Sequence, residues 1–194
     1  MNKILAPLKA EKGVFAALGN HDYWHGSEVI LHELESLNIR HVGGKHESVT
    51  LDDGTKLLIA GFEYPWFKEK LNLPVTRDAD FIFALTHTPD NVYNLEKNGA
   101  DVVFAGHNHA GHVRIPFFGP LVTPSIFGRR FMHGMYNVGS SLLFVTSGVG
   151  SAMPGFRVYC QPDIFVIDFY GALSENGDSS SPFLKTNISL DIIN

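Results

Sequence analysis

The chain has 194 residues, 44% apolar and 18% charged, and its formal net charge is −5 with histidine neutral. That length suits one domain with a sizeable core, and the low charge, with 15 Phe, excludes an intrinsically disordered chain. The acidic balance argues against a nucleic-acid partner, which needs surplus Lys and Arg, and a single cysteine, Cys160, excludes a disulfide framework or a cysteine zinc site.

The first 18 residues are interrupted by Lys3, Pro7, Lys9, Glu11, Lys12 and Gly13, so they form no signal-peptide h-region. No run nears the roughly 20 apolar residues of a membrane span. The expected location is the cytoplasm or the inner face of a membrane, without a transmembrane segment in this chain. Ile4 to Ala10 reads as the last part of a helix closed by Gly13, with Pro7 awkward inside it. Val14 to Leu18 is a short apolar run, read as a buried strand ended by Gly19-Asn20. Ser27 is placed to cap a helix reaching about Leu37, with Val29, Ile30, Leu31, Leu34 and Leu37 on one stripe. Ser48 to Leu51, the turn Asp52-Asp53-Gly54, and Lys56 to Gly61 read as a β-hairpin.

Phe62 to Arg77 is aromatic and broken by prolines, hence a loop or ragged helix. Asp80 to Leu85 and Asp101 to Ala105 are two more buried strands. Between them Pro89 opens a short helix to Lys97. His112 to Phe117, Leu142 to Thr146 and Asp163 to Phe169 read as further strands. Gly171 to Pro182 is polar and rich in Gly and Ser. The expected organisation is one domain over residues 1–170 and a polar tail over 171–194. Strands interleaved with helices mean an α/β fold.

Three of these strands end alike. Leu18 passes into Gly19-Asn20-His21-Asp22, Leu85 into Thr86-His87, and Ala105 into Gly106-His107-Asn108-His109. Ligands of open α/β sheets bind beyond the carboxyl ends of strands, so parallel neighbours would gather four histidines and an asparagine at one edge. Neutral imidazole suits zinc, iron and other first-row ions, and an amide oxygen suits harder ones. Asn20-His21 or His87 alone reads as an ordinary turn, and His107-x-His109 after Gly106 reads equally as a turn or a metal candidate; all three at successive strand ends point to a hydrolytic metal centre. On an extended stretch His107 and His109 would face the same side. His25, His32, His41, His46 and His133 have no such setting.

Gly19-Asn20-His21-Asp22, His87 and Gly106-His107-Asn108-His109 resemble the third, fourth and fifth motifs of the calcineurin-like metallophosphoesterases. The agreement runs from about Leu8 to Phe169. Gly106 to Pro116, Gly134-Met135-Tyr136 and Gly148-Val149-Gly150 are similar to a bacterial branch that includes UDP-2,3-diacylglucosamine hydrolases of lipid A synthesis. The resemblance implies an αββα sandwich, mixed sheets flanked by helices. It implies a phosphoester hydrolase acting through attack on phosphorus by a metal-bound hydroxide. Asn20, His87 and His107 would bind the second metal, His109 the first, and His21 would sit beside the phosphate as general acid or electrostatic stabiliser. The substrate would be a phosphate ester, lipid- or nucleotide-linked.

The family's opening motifs, Asp-x-His and Gly-Asp-x-x-Asp, have no counterpart among the 18 residues before Gly19. The fold is therefore expected to be N-terminally incomplete. The complete protein would hold two divalent ions (Mn, Fe or Zn) and this chain at most one. The alternative expectation is a catalytically inactive fragment, or half of a split phosphoesterase.

Overall fold

The computed structural model describes residues 2–68, 78–151, 155–170 and 188–193. A short helix, α1 (Asn2–Leu5), leads into strand β1 (Val14–Ala16), helix α2 (Asn20–His25), helix α3 (Ser27–Ser36) and strand β2 (Ile39–His41). The hairpin follows as β3 (His46–Thr50) and β4 (Lys56–Phe62), then strand β5 (Phe81–Thr86). A 3-10 turn at Pro89–Asn91 opens helix α4 (Val92–Lys97), which returns the chain to β6 (Val102–Ala105). Beyond it come β7 (Arg114–Ile115), β8 (Gly119–Pro120), β9 (Gly134–Val138), β10 (Ser141–Val145), β11 (Ile164–Phe169) and β12 (Ile188–Ile193).

Six strands form one mixed sheet in the order β3-β4-β5-β6-β10-β9. The inner four are parallel and the two outer ones antiparallel. Alternate residues of a strand face opposite sides, and both sides of this sheet are apolar. One side carries Ile82, Ala84, Val103, Ala105, Leu143 and Val145, packed under Val92 and Leu95 of α4. The other carries Phe83, Val102, Phe104, Leu142 and Phe144, and receives Phe165, Ile167 and Phe169 of β11. The antiparallel pair β11–β12 thus lies against the sheet as a second sheet, with α4 on the opposite face. Residues buried on both faces of parallel strands explain why β6 and β10 read as continuous apolar runs.

The strand that leads towards Gly19-Asn20, β1, belongs to a separate parallel pair with β2. The apolar stripe of α3, with Ile30, Leu31 and Leu34, packs on Ile39 of β2 and on Leu18, just beyond β1. A parallel bridge between Gly43 and Gly61 joins it to the end of β4. Both glycines are needed there. A Cβ on Gly61 would enter the Val42 carbonyl, and one on Gly43 would sit on the Glu63 carboxylate.

Several expectations change. The first helix stops at Leu5, because the residue before Pro7 disfavours the helical region. Ser27 is the first residue of α3 and not its cap; the cap is Gly26, at φ 97°, with no side-chain hydrogen bond. The strand expected over His112 to Phe117 shrinks to Arg114–Ile115, since His112 and Phe117 take φ of 54° and 68°. Strands β2, β8 and β9 are additions. So is β12, which lies within the stretch read as a polar tail. Residues 69–77 of the aromatic loop and 171–187 of the tail lie outside the described residues.

Candidate metal centre

Parallel pairing of β5 and β6 sets Leu85 opposite Phe104, so the next residues of both strands leave the sheet together. Gly106 N–H donates to the His87 carbonyl at 3.0 Å. His87 and His107 consequently lie side by side, with ring centroids 4.8 Å apart. Asn20 arrives from β1 as the first residue of α2 and is buried. Asp22 shapes that entry by accepting the Gly19 N–H at 2.7 Å. His87 Nε2 lies 2.7 Å from Asn20 Oδ1 and 3.1 Å from His107 Nδ1. Two donors bound to one ion at about 2.1 Å stand roughly 3.0–3.4 Å apart, between a right angle and a tetrahedral one. His107 Nδ1 lies within that spacing of His87 Nε2, and Asn20 Oδ1 lies just inside it, at hydrogen-bond distance. Trp66 closes one side, edge-on to His87 at 5.2 Å and to His107 at 5.0 Å.

The expectation that His107 and His109 face one way fails on backbone geometry. His107, His109 and Ala110 all have positive φ, 65°, 45° and 49°, a region most side chains avoid. The chain turns at each, so the stretch is not extended. Asn108 between them is buried and donates from Nδ2 to the Phe131 carbonyl at 2.7 Å. His109 faces a second set of groups: its Nδ1 is 3.4 Å from Arg157 Nη2, and it bonds to the Ser147 backbone. Arg157 Nη2 is itself anchored on the carbonyls of Ser147 and Gly148, at 2.8 and 3.0 Å. His21 stands exposed on α2, edge-on to Trp24 at 5.2 Å. Among the described residues no three His, Cys, Asp or Glu side chains gather around one point. The convergent set is two histidines with an amide, and no carboxylate is in it.

Electrostatics keeps these imidazoles neutral. Burial pushes His87 down to about 3, helped by the like charges of His107, His109 and His21. Burial holds His107 to about 4, against the pull of the Asp90 carboxylate. His109 is lowered by burial and then by Arg157. Neutral imidazole offers the lone pair that a metal takes. The same values fix a stability effect. In the unfolded chain both His87 and His107 gain a proton near 6.5, while the folded chain keeps them neutral to about pH 3 and 4. The unfolded state then binds more protons, so stability falls as pH drops from 6.5 towards 4. Thermal melts at pH 7, 5 and 4 are expected to show this fall, and a His87→Asn, His107→Asn double variant a smaller one.

Glu63 has no sequence signal and carries much of the local order. It is fully buried, and its Oε1 accepts the Leu18 N–H and bonds His41 Nε2 at 2.8 Å. That carboxylate ties the strand before Asn20 to the end of β4. Arg157 is equally unmarked, because only the fold brings it beside His109; Trp66 lies in the aromatic stretch Tyr64-Pro65-Trp66-Phe67, which in sequence reads as an apolar mouth or as core or loop packing.

The sequence model of the calcineurin-like phosphoesterases matches residues 1–111. The uncharacterized metallophosphoesterase YkuE of Bacillus subtilis is 28% identical over 169 residues, 84% of this chain and 58% of that protein. The phosphodiesterase YaeI of Escherichia coli is 28% identical over 174 residues, 85% of this chain and 61% of that protein. The UDP-2,3-diacylglucosamine pyrophosphatase LpxG of Chlamydia muridarum is 24% identical over 221 residues, 86% of this chain and 67% of that protein. The chain thus spans 58% and 61% of the lengths of the first two.

Proposed function

The chain belongs to the calcineurin-like phosphoesterases, and from this we propose that it takes part in the metal-dependent hydrolysis of phosphate esters. The observation that carries the reading is the meeting of Asn20 Oδ1, His87 Nε2 and His107 Nδ1 from three strand ends. These donors would hold one divalent ion, with His109 a ligand to a second. A bound divalent ion lowers the pKa of water and polarises a phosphoryl oxygen. Around it the chain's own groups orient and shield. Asn20 and His87 fix the donor geometry, Trp66 shields one side, and His21, exposed on α2, would serve a bound phosphate as proton donor or electrostatic stabiliser. The burial-lowered histidines stay available as ligands through the neutral range.

The name of YaeI says phosphodiesterase and that of LpxG says UDP-2,3-diacylglucosamine pyrophosphatase. They support a diester or diphosphate substrate, lipid- or nucleotide-linked. Among the described residues no helix is long and apolar enough to cross a membrane. The test is hydrolysis of bis-p-nitrophenyl phosphate with added Mn²⁺, Zn²⁺ or Fe²⁺. The chain would be assayed as it stands and behind a segment bearing the family's Asp-x-His and Gly-Asp-x-x-Asp. Metal-dependent turnover, abolished by a chelator, is expected; turnover in neither form with any ion would sink the reading.

A further inference from the structure

A second recess lies beyond the His109 turn and involves none of the proposed metal ligands. It has a volume of about 680 Å³ and is lined by Arg114, Arg129 and His133 together with Phe117, Phe118 and Tyr159, among others. That volume is within the roughly 300–1,000 Å³ of small-molecule sites. Its charge is unusual for this protein. Between Asp101 and Asp163 the sequence has no Asp or Glu, but has Arg114, Arg129, Arg130 and Arg157. The whole chain has 15 basic and 20 acidic residues, so that segment carries +4 and the remainder −9. The entire lining of the recess comes from the cationic segment, and no carboxylate is part of it.

The cations are held in place by the backbone. Arg129 donates to the carbonyls of Phe118 and Pro120, at 2.6 and 3.0 Å, which fastens the β7–β8 hairpin while its charge stays uncompensated by any acid in the lining. Arg114 reaches the Ala110 carbonyl at 3.4 Å. His133 Nε2 is bonded to the buried Asp163. The rim is apolar and open to water. Phe117, Phe118 and Tyr159 are 107%, 74% and 75% exposed, and Phe117 and Tyr159 hold positive φ of 68° and 51°. Exposed aromatics clustered around fixed cations mark a binding surface more than a folding core.

We propose that this recess binds an organic anion, a phosphate group joined to an apolar body. Arg114 and Arg129 meet the phosphate, and Phe117, Phe118 and Tyr159 cover the apolar part. The proposal goes beyond the hydrolytic centre and does not depend on it, since the binding needs neither metal nor turnover. An alkyl phosphate and a nucleoside monophosphate both present this chemistry.

The experiment is calorimetric titration of the full chain in EDTA. The probes are decyl phosphate below its micelle concentration, uridine monophosphate, inorganic phosphate and decyl maltoside. Saturable binding of decyl phosphate or of uridine monophosphate is expected, at least tenfold tighter than inorganic phosphate or decyl maltoside; which of the two binds identifies the apolar body. Arg114→Gln should weaken it about tenfold or more. Phe117→Asn, at an exposed position whose positive φ asparagine tolerates, should weaken it several-fold without disturbing the fold. The proposal is overturned by equal affinity for inorganic phosphate or for decyl maltoside, by unchanged binding in Phe117→Asn, or by no binding of either organophosphate. Failure here would leave the metal-dependent hydrolysis untouched.

Discussion

Replacing His87 by alanine is expected to lower metal-dependent hydrolysis by at least about 100-fold, the upper end of what losing even an outer-shell partner of a metal ligand costs. His87 sits between the other two donors, 2.7 Å from Asn20 Oδ1 and 3.1 Å from His107 Nδ1, so its loss separates them as well as removing a nitrogen. The variant should still fold, because the imidazole lies outside the two apolar cores of the main sheet. It should also melt less steeply with falling pH, since a histidine held neutral to about 3 no longer resists protonation. Bound metal per chain and the melting temperature at pH 7 and 5 separate the two effects. A variant that binds metal and turns over like the parent would remove His87 from the centre, and with it the proposed ligand set.

The strands that deliver these donors were legible because their chemistry is local. Phe81–Thr86 and Val102–Ala105 are short, largely apolar runs; His87 follows the first directly and His107 follows the second after Gly106. Their parallel pairing follows from the helix Val92–Lys97 between them. What was hidden depends on distant contacts. Nothing near Gly43 and Gly61 says that their backbones cross, or that Glu63 reaches back 45 residues to Leu18. The turn at His107–Ala110 was hidden for another reason. Positive φ at histidine and alanine contradicts local preference, and tertiary anchors hold the turn: Asn108 on the Phe131 carbonyl and the His109 carbonyl on Cys160 Sγ. Such conflicts between local preference and final backbone concentrate at functional sites. Asn20 shows both sides. Its motif was readable, but its partner His87 is reached through the β1–β2 pair and not through the main sheet.

Gly19→Ala should reduce metal affinity and metal-dependent hydrolysis by about 10–100-fold, the range for a lost outer-shell support of a ligand. Gly19 has φ −124° and ψ −171°, extended backbone that alanine adopts freely, so the glycine is not there for its backbone freedom. The reason is contact: a Cβ at this position would come within 2.6 Å of three ring atoms of His87. The ring must then swing away from Asn20 Oδ1, or α2 must lift from the β5 tip. Either movement separates donors that now converge, and overpacking of this kind costs about 1–3 kcal/mol in stability. Gly155→Ala is the control, because a Cβ there meets nothing within 4 Å and should change neither property. Metal titration followed by bis-p-nitrophenyl phosphate turnover reads both. If Gly19→Ala matches the parent, the His87 ring has room to yield, and the centre's geometry is set elsewhere than by this contact. If it loses metal while the Gly155 variant does not, the glycine of Gly19-Asn20-His21-Asp22 serves to let a histidine from another strand lie flat against the chain.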